Sequence, residues 1–356
     1  MKIDFIISSL VGGGAERVLV LLANNFISKG YDVSIITFSN PEDYQYDPKI
    51  KRIRLHEKKF KNHTLSNLYN LIKYYKRKKN RSSVIISFIT HTNFLSIIVA
   101  KLFNIPIICS EHTNHLSKAE RINRFTRNYF YKFSNHLTVL TDFDFQFYSK
   151  KNIKCSIMQN PCSFDVVPYP NPNPEKVILA VGNLNRYKGK GFDNLLELAT
   201  PVLLKNKAWK IQFVGAGTNG INKLKEISNK LQISDQIEFL GFVSNVSSIM
   251  YNSEIFILTS LFEGLPMGLI EASSQGMACI SYDCISGPSD IITNNINGIL
   301  VEDQNRLQMR EKLSELISNN ELRNTIKKNA LKSLKDFDIE IIHKKYLKIF
   351  SEICNK

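Results

Sequence analysis

Short apolar runs recur along the chain. Each is followed by a polar, often glycine-containing turn, then by a longer stretch with apolar residues three and four apart. In the first half the runs are residues 3–8, 33–38, 84–88, 105–110 and 137–140. Mostly apolar runs of this length read as strands buried on both faces. Helical spacing follows in Val18, Leu19, Leu21, Leu22 and Phe26 before Gly30, then in Leu65, Leu68, Leu71, Ile72 and Tyr75, then over residues 92–103. The second half repeats the alternation, with runs at 177–182, 210–215, 236–240, 255–258, 278–281 and 298–301, and helices at 195–204, 269–275, 305–332 and 339–353. Buried strands alternating with helices predict parallel sheets covered on both faces, a doubly wound α/β architecture. Residues 166–174 interrupt the series with four prolines at alternate positions, which cannot propagate a helix and favour an extended linker. Two domains are expected, residues 1–166 and 167–337.

In such sheets ligands bind beyond the carboxyl ends of the strands. The turn after residues 255–258 reads Glu263-Gly264-Leu265-Pro266-Met267-Gly268-Leu269-Ile270-Glu271-Ala272. A helix opening near Gly268 aims backbone N–H groups at an anion. Glu271 is expected on its first turn, where a carboxylate can accept two hydrogen bonds from a ribose diol, and Glu263 on the loop can hold sugar hydroxyls. The turn after residues 177–182 runs from Gly182 through Arg186, Lys188 and Lys190-Gly191-Phe192-Asp193. Cationic donors beside open backbone suit a diphosphate. Near the N-terminus, Gly12-Gly13-Gly14-Ala15-Glu16-Arg17 forms another strand–glycine–helix turn. It is not G-x-G-x-x-G, and no acidic residue ends the next strand, which weakens a dinucleotide reading.

The stretch from Glu263 to Glu271 closely resembles the E-x7-E motif of retaining GT-B glycosyltransferases, in particular glycosyltransferase family 4, and the resemblance spans nearly the whole chain. It implies the GT-B fold: two Rossmann-like doubly wound domains facing across a cleft, with the last helix, residues 338–356, crossing back to the first domain. It further implies that Glu263 contacts the donor sugar and Glu271 the nucleotide ribose, with Gly264, Pro266, Met267, Gly268 and Leu269 around the donor. Lys190 matches the K-G-F-D lysine that binds the donor diphosphate. The arginine common after Gly182 is Asn183 here, so Arg186, with Lys188 as a possible partner, is the expected substitute. Gly241-Phe242 resembles the family's base-contacting turn, and Gly13, Gly14 and Arg17 its loop near the acceptor. Ser110-Glu111-His112-Thr113 looks like a segment of family members with lipid-linked acceptors, which makes His112 a candidate for orienting the acceptor or a sugar hydroxyl. A surface-loop histidine would read the same from residue type alone. The implied reaction moves a hexose or N-acetylhexosamine from a nucleotide diphosphate, UDP being the expected one, without a metal and with no cofactor.

Charge sharpens the acceptor side. The net charge is +15, and residues 1–165 carry 25 Lys+Arg against 12 Asp+Glu. An acidic partner for that half is expected. Residues 51–81 are dense in Lys and Arg around a helical stretch. Residues 118–133 carry Lys118, Arg121, Arg124, Arg127 and Lys132 interleaved with Phe125, Tyr129, Phe130, Tyr131 and Phe133. A basic amphipathic helix there fits an anionic membrane surface or a diphosphate-bearing lipid, and equally a core helix with solvated basic residues. No RNP, KH or zinc-finger pattern points to nucleic acid. Asp142-Phe143-Asp144 spells D-x-D, but its place before residues 145–148 reads as a helix start, so no metal is expected. His91 is a weaker candidate at a helix start.

No apolar run reaches the ~18–20 residues of a spanning helix, and residues 1–7 read as a first strand rather than a signal peptide. Cys109, Cys155, Cys162, Cys279, Cys284 and Cys354 show no C-x-x-C spacing and read as reduced packing residues. The expected setting is cytoplasmic, peripheral on the inner face of the membrane, with a lipid-linked saccharide acceptor in surface-polysaccharide assembly. Two other readings share these residues: a nucleotide-sugar epimerase on the same fold, and a non-enzymatic nucleic-acid or membrane-surface binding protein.

Overall fold

The computed structural model describes residues 1–40, 44–117 and 120–354. The chain forms two compact units, Met1–Ser163 with Phe337–Lys356, and Phe164–Asp336. The first holds β1 (Lys2–Ile6), α1 (Gly14–Ser28), β2 (Asp32–Thr37), β3 (Lys51–Arg54), α2 (His63–Lys76), β4 (Val84–Phe88), α3 (Thr90–Phe103), β5 (Ile107–Ser110), α4 (Arg121–Phe125), β6 (His136–Val139), α5 (Asp142–Ser149) and β7 (Cys155–Ile157). The second holds β8 (Glu175–Val181), α6 (Phe192–Lys205), β9 (Lys210–Val214), α7 (Thr218–Lys230), β10 (Ile237–Gly241), α8 (Val246–Asn252), β11 (Ser253–Leu258), α9 (Met267–Ser274), β12 (Ala278–Tyr282), α10 (Pro288–Ile291), β13 (Ile299–Val301), α11 (Arg306–Ser318) and α12 (Asn320–Lys332). The final helix, α13 (Ile339–Cys354), belongs to the first unit.

Both sheets are parallel. Their orders are β3-β2-β1-β4-β5-β6-β7 and β10-β9-β8-β11-β12-β13. The strand order reverses between β1 and β4 in one and between β8 and β11 in the other. At these two points adjacent crossovers diverge to opposite faces and open a crevice at the carboxyl ends. Register is set by the apolar runs, with Ile3 level with Val33 and Val84, and Ile255 with Ile178 and Ala278.

In the first unit Phe5 lies between Phe26 and Phe88, at 6.0 and 6.3 Å between ring centroids. α13 seals this core from the α1 side. Its His343 and Phe350 rings lie 4.6 and 5.6 Å from Phe26, and Glu340 binds Asn25 (3.0 Å) and Lys29 (2.9 Å). Its buried Ile342, Tyr346, Ile349, Phe350 and Ile353 each gain roughly 1.5–3 kcal/mol on burial.

Several elements differ from the sequence expectation. β3 and β7 were not foreseen because both are short edge strands, and β3 carries charge on three of its four residues. The proline segment is not a free spacer. Val167 N–H donates to the Ser274 carbonyl (3.0 Å), the Gln275 amide to the Asp165 carbonyl (3.0 Å), and Pro170 packs on Gly276. Over residues 120–133 the chain does not make one amphipathic helix. α4 passes into a π-helical turn, Thr126–Phe130, then a 3₁₀ turn, Tyr131–Phe133, and Lys118 lies outside the described residues. The changes of winding turn Arg127 inward, where it is buried rather than solvated. Among the described residues no helix is long and apolar enough to cross a membrane.

Candidate active site

In the second unit the reversal between β8 and β11 brings the two predicted turns together. Lys190 Nζ donates to Glu263 Oε1 at 2.7 Å, and both side chains are largely buried. The ammonium has three donors and spends one here. The turn around Lys190 is held from the β11 side, where Thr259 Oγ1 donates to the carbonyls of Lys190 and Gly191 (both 2.9 Å) and Leu261 N–H donates to the Gly189 carbonyl (3.0 Å). Gly191 has φ +65°, and a Cβ there would lie 2.0 Å from the Thr259 carbonyl oxygen. Only glycine lets the two turns touch. Gly191→Ala should push them apart and weaken donor-nucleotide binding by roughly tenfold or more. Unchanged affinity in a calorimetric titration would show that the spacing is irrelevant to the donor.

Arg186 and Lys188 lie exposed on the same turn, with the Arg186 carbonyl accepting Lys190 N–H at 2.9 Å. Asn183 caps a 3₁₀ turn, accepting from Asn185 N–H (3.0 Å), and Asn185 Oδ1 accepts from Gly220 N–H (3.0 Å) in the first turn of α7. Gly182 and Gly215 touch. A Cβ on Gly215 would meet the Gly182 carbonyl at 1.9 Å, while Gly215 N–H donates to the Gly241 carbonyl at 2.8 Å. The ends of β8, β9 and β10 therefore form one rim, and Phe242 stands on it 79% exposed.

α9 begins at Met267, with Pro266 as its N-cap residue and no capping side chain. The first amides of a helix lack intrahelical acceptors and carry partial positive charge. Gly268 packs on Phe256, 3.2 Å from where a Cβ would be. Because the helix starts before Gly268, Glu271 is its fifth residue and not in the first turn as expected; it is buried, at 4% exposure. Gly264 and Pro266 are backed by the turn at Ser286–Gly287. Ser286 Oγ donates to the Gly264 carbonyl (3.2 Å), and Gly287, at φ +105°, approaches too closely for any Cβ.

In the first unit, the reversal between β1 and β4 lies beside the start of α1. Gly13 is the N-cap residue, and its carbonyl accepts from Arg17 N–H (3.1 Å) and Tyr44 Oη (2.8 Å), with the Arg17 guanidinium over the Tyr44 ring. A Gly13 Cβ would collide with the Glu16 carboxylate. The Glu16 carboxylate thus lies against this helix start. At the end of β4, Ile89 has φ +72° and ψ 137°, a conformation that costs a non-glycine residue about 1–3 kcal/mol. Its N–H donates to the Ser110 carbonyl (3.1 Å), tying the turn to β5.

His112 follows β5. Its ring stacks on Phe88 with centroids 5.0 Å apart, and Nε2 bonds to Ser110 Oγ at 3.0 Å. Burial pushes its pKa down to about 3. It is therefore neutral at physiological pH, a hydrogen-bonding group rather than a cationic acid. His91 bonds Thr64 Oγ1 (3.0 Å) and is likewise pushed down by burial. Both carboxylates of D-x-D are engaged: Asp142 opens α5 and bonds Gln146, and Asp144, in the first turn, accepts from His115 N–H and Nδ1 (both 2.8 Å) and so anchors the His112 loop. Among the described residues no group of three His, Cys, Asp or Glu side chains could hold a metal.

The family model described as Glycosyl transferases group 1 matches residues 165–333, and that described as Glycosyltransferase Family 4 matches residues 12–155. A Campylobacter jejuni protein, GalNAc-alpha-(1->4)-GalNAc-alpha-(1->3)-diNAcBac-PP-undecaprenol alpha-1,4-N-acetyl-D-galactosaminyltransferase, is 32% identical over 100% of this chain and 99% of its own. This chain is a GT-B glycosyltransferase of family 4. The amylovoran biosynthesis glycosyltransferase AmsD of Erwinia amylovora is 26% identical over 94% of this chain and 95% of its own. Among solved structures, the apo lipopolysaccharide outer core galactosyltransferase WaaB superposes with TM-score 0.78 at 20% identity over 99% of both chains, and TarM with 0.82 at 16% over 98% of both. At those identities the two structures speak to the fold.

The glycosyltransferase thus unites Glu263 and Lys190 directly. It sets Glu271, Gly264, Pro266, Met267, Gly268 and Leu269 on the adjoining loop and helix, and Arg186, Lys188, Gly182, Gly241 and Phe242 on the neighbouring rim. Thr259, Asn185 and the Ser286–Gly287 turn were missed. Each acts through a partner far away in the chain, and only Gly287 before a proline offered a local signal.

Proposed function

We propose that this glycosyltransferase moves a hexose or N-acetylhexosamine, with retention, from a UDP-sugar to a polyprenyl-diphosphate-linked saccharide in surface-polysaccharide assembly. The observation that carries the donor half is the Lys190–Glu263 pair at the β8/β11 reversal, beside the open N-terminus of α9. Lys190, Arg186 and the first amides of α9 stabilise the departing diphosphate, which lowers the barrier without a metal. Glu263 orients the sugar, Glu271 the ribose and His112 an acceptor or sugar hydroxyl. No protein nucleophile is assigned. Support for the acceptor comes from the Campylobacter relative, whose name specifies an undecaprenol diphosphate-linked saccharide and an alpha linkage. An α-linked sugar nucleotide yields an α product only by retention.

Exposed Phe60, Leu65 and Tyr69 stand among the lysines around α2, and exposed Phe125, Tyr129 and Phe133 beside Arg121, Arg124 and Lys132. Apolar side chains flanked by cations suit a peripheral position on anionic lipid. Titration with UDP, GDP and ADP without added metal tests the donor half. UDP is expected to bind, and Glu271→Ala to weaken it by roughly 10–100-fold for the lost charge-assisted hydrogen bonds. Preference for another base, or a mutant that binds as well as wild type, would overturn that assignment.

A further inference from the structure

Behind His112 lies a buried polar cluster that the donor chemistry does not use. Glu111 is 2% exposed. Its Oε2 accepts from Thr90 Oγ1 (2.7 Å), Tyr131 Oη (2.7 Å) and Arg127 Nε (3.4 Å), and its Oε1 from Thr113 Oγ1 (2.9 Å). Arg127 also donates to Thr90 Oγ1 (3.2 Å), Thr113 Oγ1 (2.6 Å) and Ser117 Oγ (3.0 Å). Asn93 Nδ2 closes the cluster, donating to the Ser110 carbonyl (3.1 Å) and to Tyr131 Oη (3.0 Å). Three segments meet here: the strained turn after β4 with the start of α3, the end of β5 with its loop as far as Ser117, and the π-helical turn with the Tyr131 that follows it. His112 sits between Glu111 and Thr113, both of which bond within the cluster.

A buried ion pair is a poor way to gain stability, since apolar side chains of similar volume would serve the fold as well or better. Its distinctive property is direction: hydrogen bonds with fixed geometry set the relative position of the segments they join. The π-helical turn supports this reading, because such turns are costly and cluster at functional sites, and this one directs Arg127 at Glu111. Resting on the transfer reading above, we infer that Glu111 and Arg127, with Thr113 as their link to the loop, are positioning residues that hold the His112 imidazole in register with the acceptor.

The test is a set of full-length variants assayed for nucleotide affinity, transfer kinetics and the ¹H–¹⁵N signals of the His112 ring. The paired variant Glu111→Gln/Arg127→Met removes both charges together, so neither is stranded. It is expected to fold and to bind the donor nucleotide like wild type. Its kcat should fall by about ten- to a hundredfold with a smaller change in acceptor KM, and the His112 signals should broaden. A folded paired variant with wild-type kcat and sharp, unshifted signals would overturn the inference. Should the paired variant not fold, Thr113→Val decides. It keeps the ion pair and cuts only the bonds of the Thr113 hydroxyl to Glu111 and Arg127. A few-fold loss of kcat restored by Thr113→Ser supports positioning, and an unchanged kcat overturns it. If wild type transfers to no diphosphate-linked lipid, the transfer reading has failed by itself, and the His112 signals still decide whether the cluster holds the ring.

Discussion

Replacing Lys190 with alanine should cost about 10²–10³ in kcat/KM, the scale seen when one preorganised donor to a developing negative charge is removed. Two effects act in the same direction. On the proposed mechanism the departing diphosphate loses an ammonium whose position is set by Glu263 at 2.7 Å and by the contacts of Thr259 with the Lys190 turn. Glu263 loses its Lys190 partner in a site that is mostly shielded from water, so more of its negative charge faces the donor. Lys190→Arg should recover only part of the loss, since a planar fork cannot reproduce a compact ammonium in the same turn. Initial rates across donor concentrations separate the outcomes. A loss confined to KM would make Lys190 a simple binding group, and a loss under about threefold would remove it from the mechanism.

Glu254→Ala should be the most destabilising single change in the second unit. Glu254 lies in β11 with its carboxylate buried between Arg323 Nε (2.7 Å) and Lys327 Nζ (2.8 Å), both from α12. Arg323 also donates to the carbonyls of Leu316 and Ile317 at the end of α11 and lies over the Trp209 ring. Removing the carboxylate leaves two buried cations facing each other, at a cost of about 3–5 kcal/mol. For a unit of this size that lowers Tm by roughly 6–20 °C. The sign of the pH dependence follows from Lys327, which burial already holds below its ordinary value against the pull of Glu254. In the variant that pull is gone and the value falls further. The unfolded chain then binds more protons than the folded one between the two values, so the variant's stability should rise with pH across that window. Thermal unfolding at several pH values checks both parts. A shift below about 2 °C would mean that α12 does not depend on this network.

Much of the candidate site in the second unit was legible because its residues are local in the chain. Glu263 to Glu271 and Lys190 to Asp193 each lie in one strand-to-helix turn, where glycines, a proline and charged residues sit a few positions apart. The parallel strands were legible too, since burial on both faces leaves apolar runs that need no tertiary information to read. Where the reading failed, a local pattern had two physical solutions. Basic and aromatic residues at three-residue steps over 118–133 fit one amphipathic helix, yet the chain changes winding twice and spends Arg127 on a carboxylate 16 residues earlier.

From its sequence alone this protein is a pair of doubly wound parallel sheets with charged, glycine-bearing turns after β8 and β11, because strand burial and turn chemistry are properties of neighbours in the chain. Only the tertiary structure decided that those two turns meet at a strand-order reversal, that Glu271 lies beyond the first turn of α9, that His112 is neutral, and that Glu111, Arg127, Glu254, Arg323 and Lys327 are buried partners. These depend on which distant residues share a low-dielectric interior, where a single contact shifts a charge or holds a loop, and no local spacing encodes that choice.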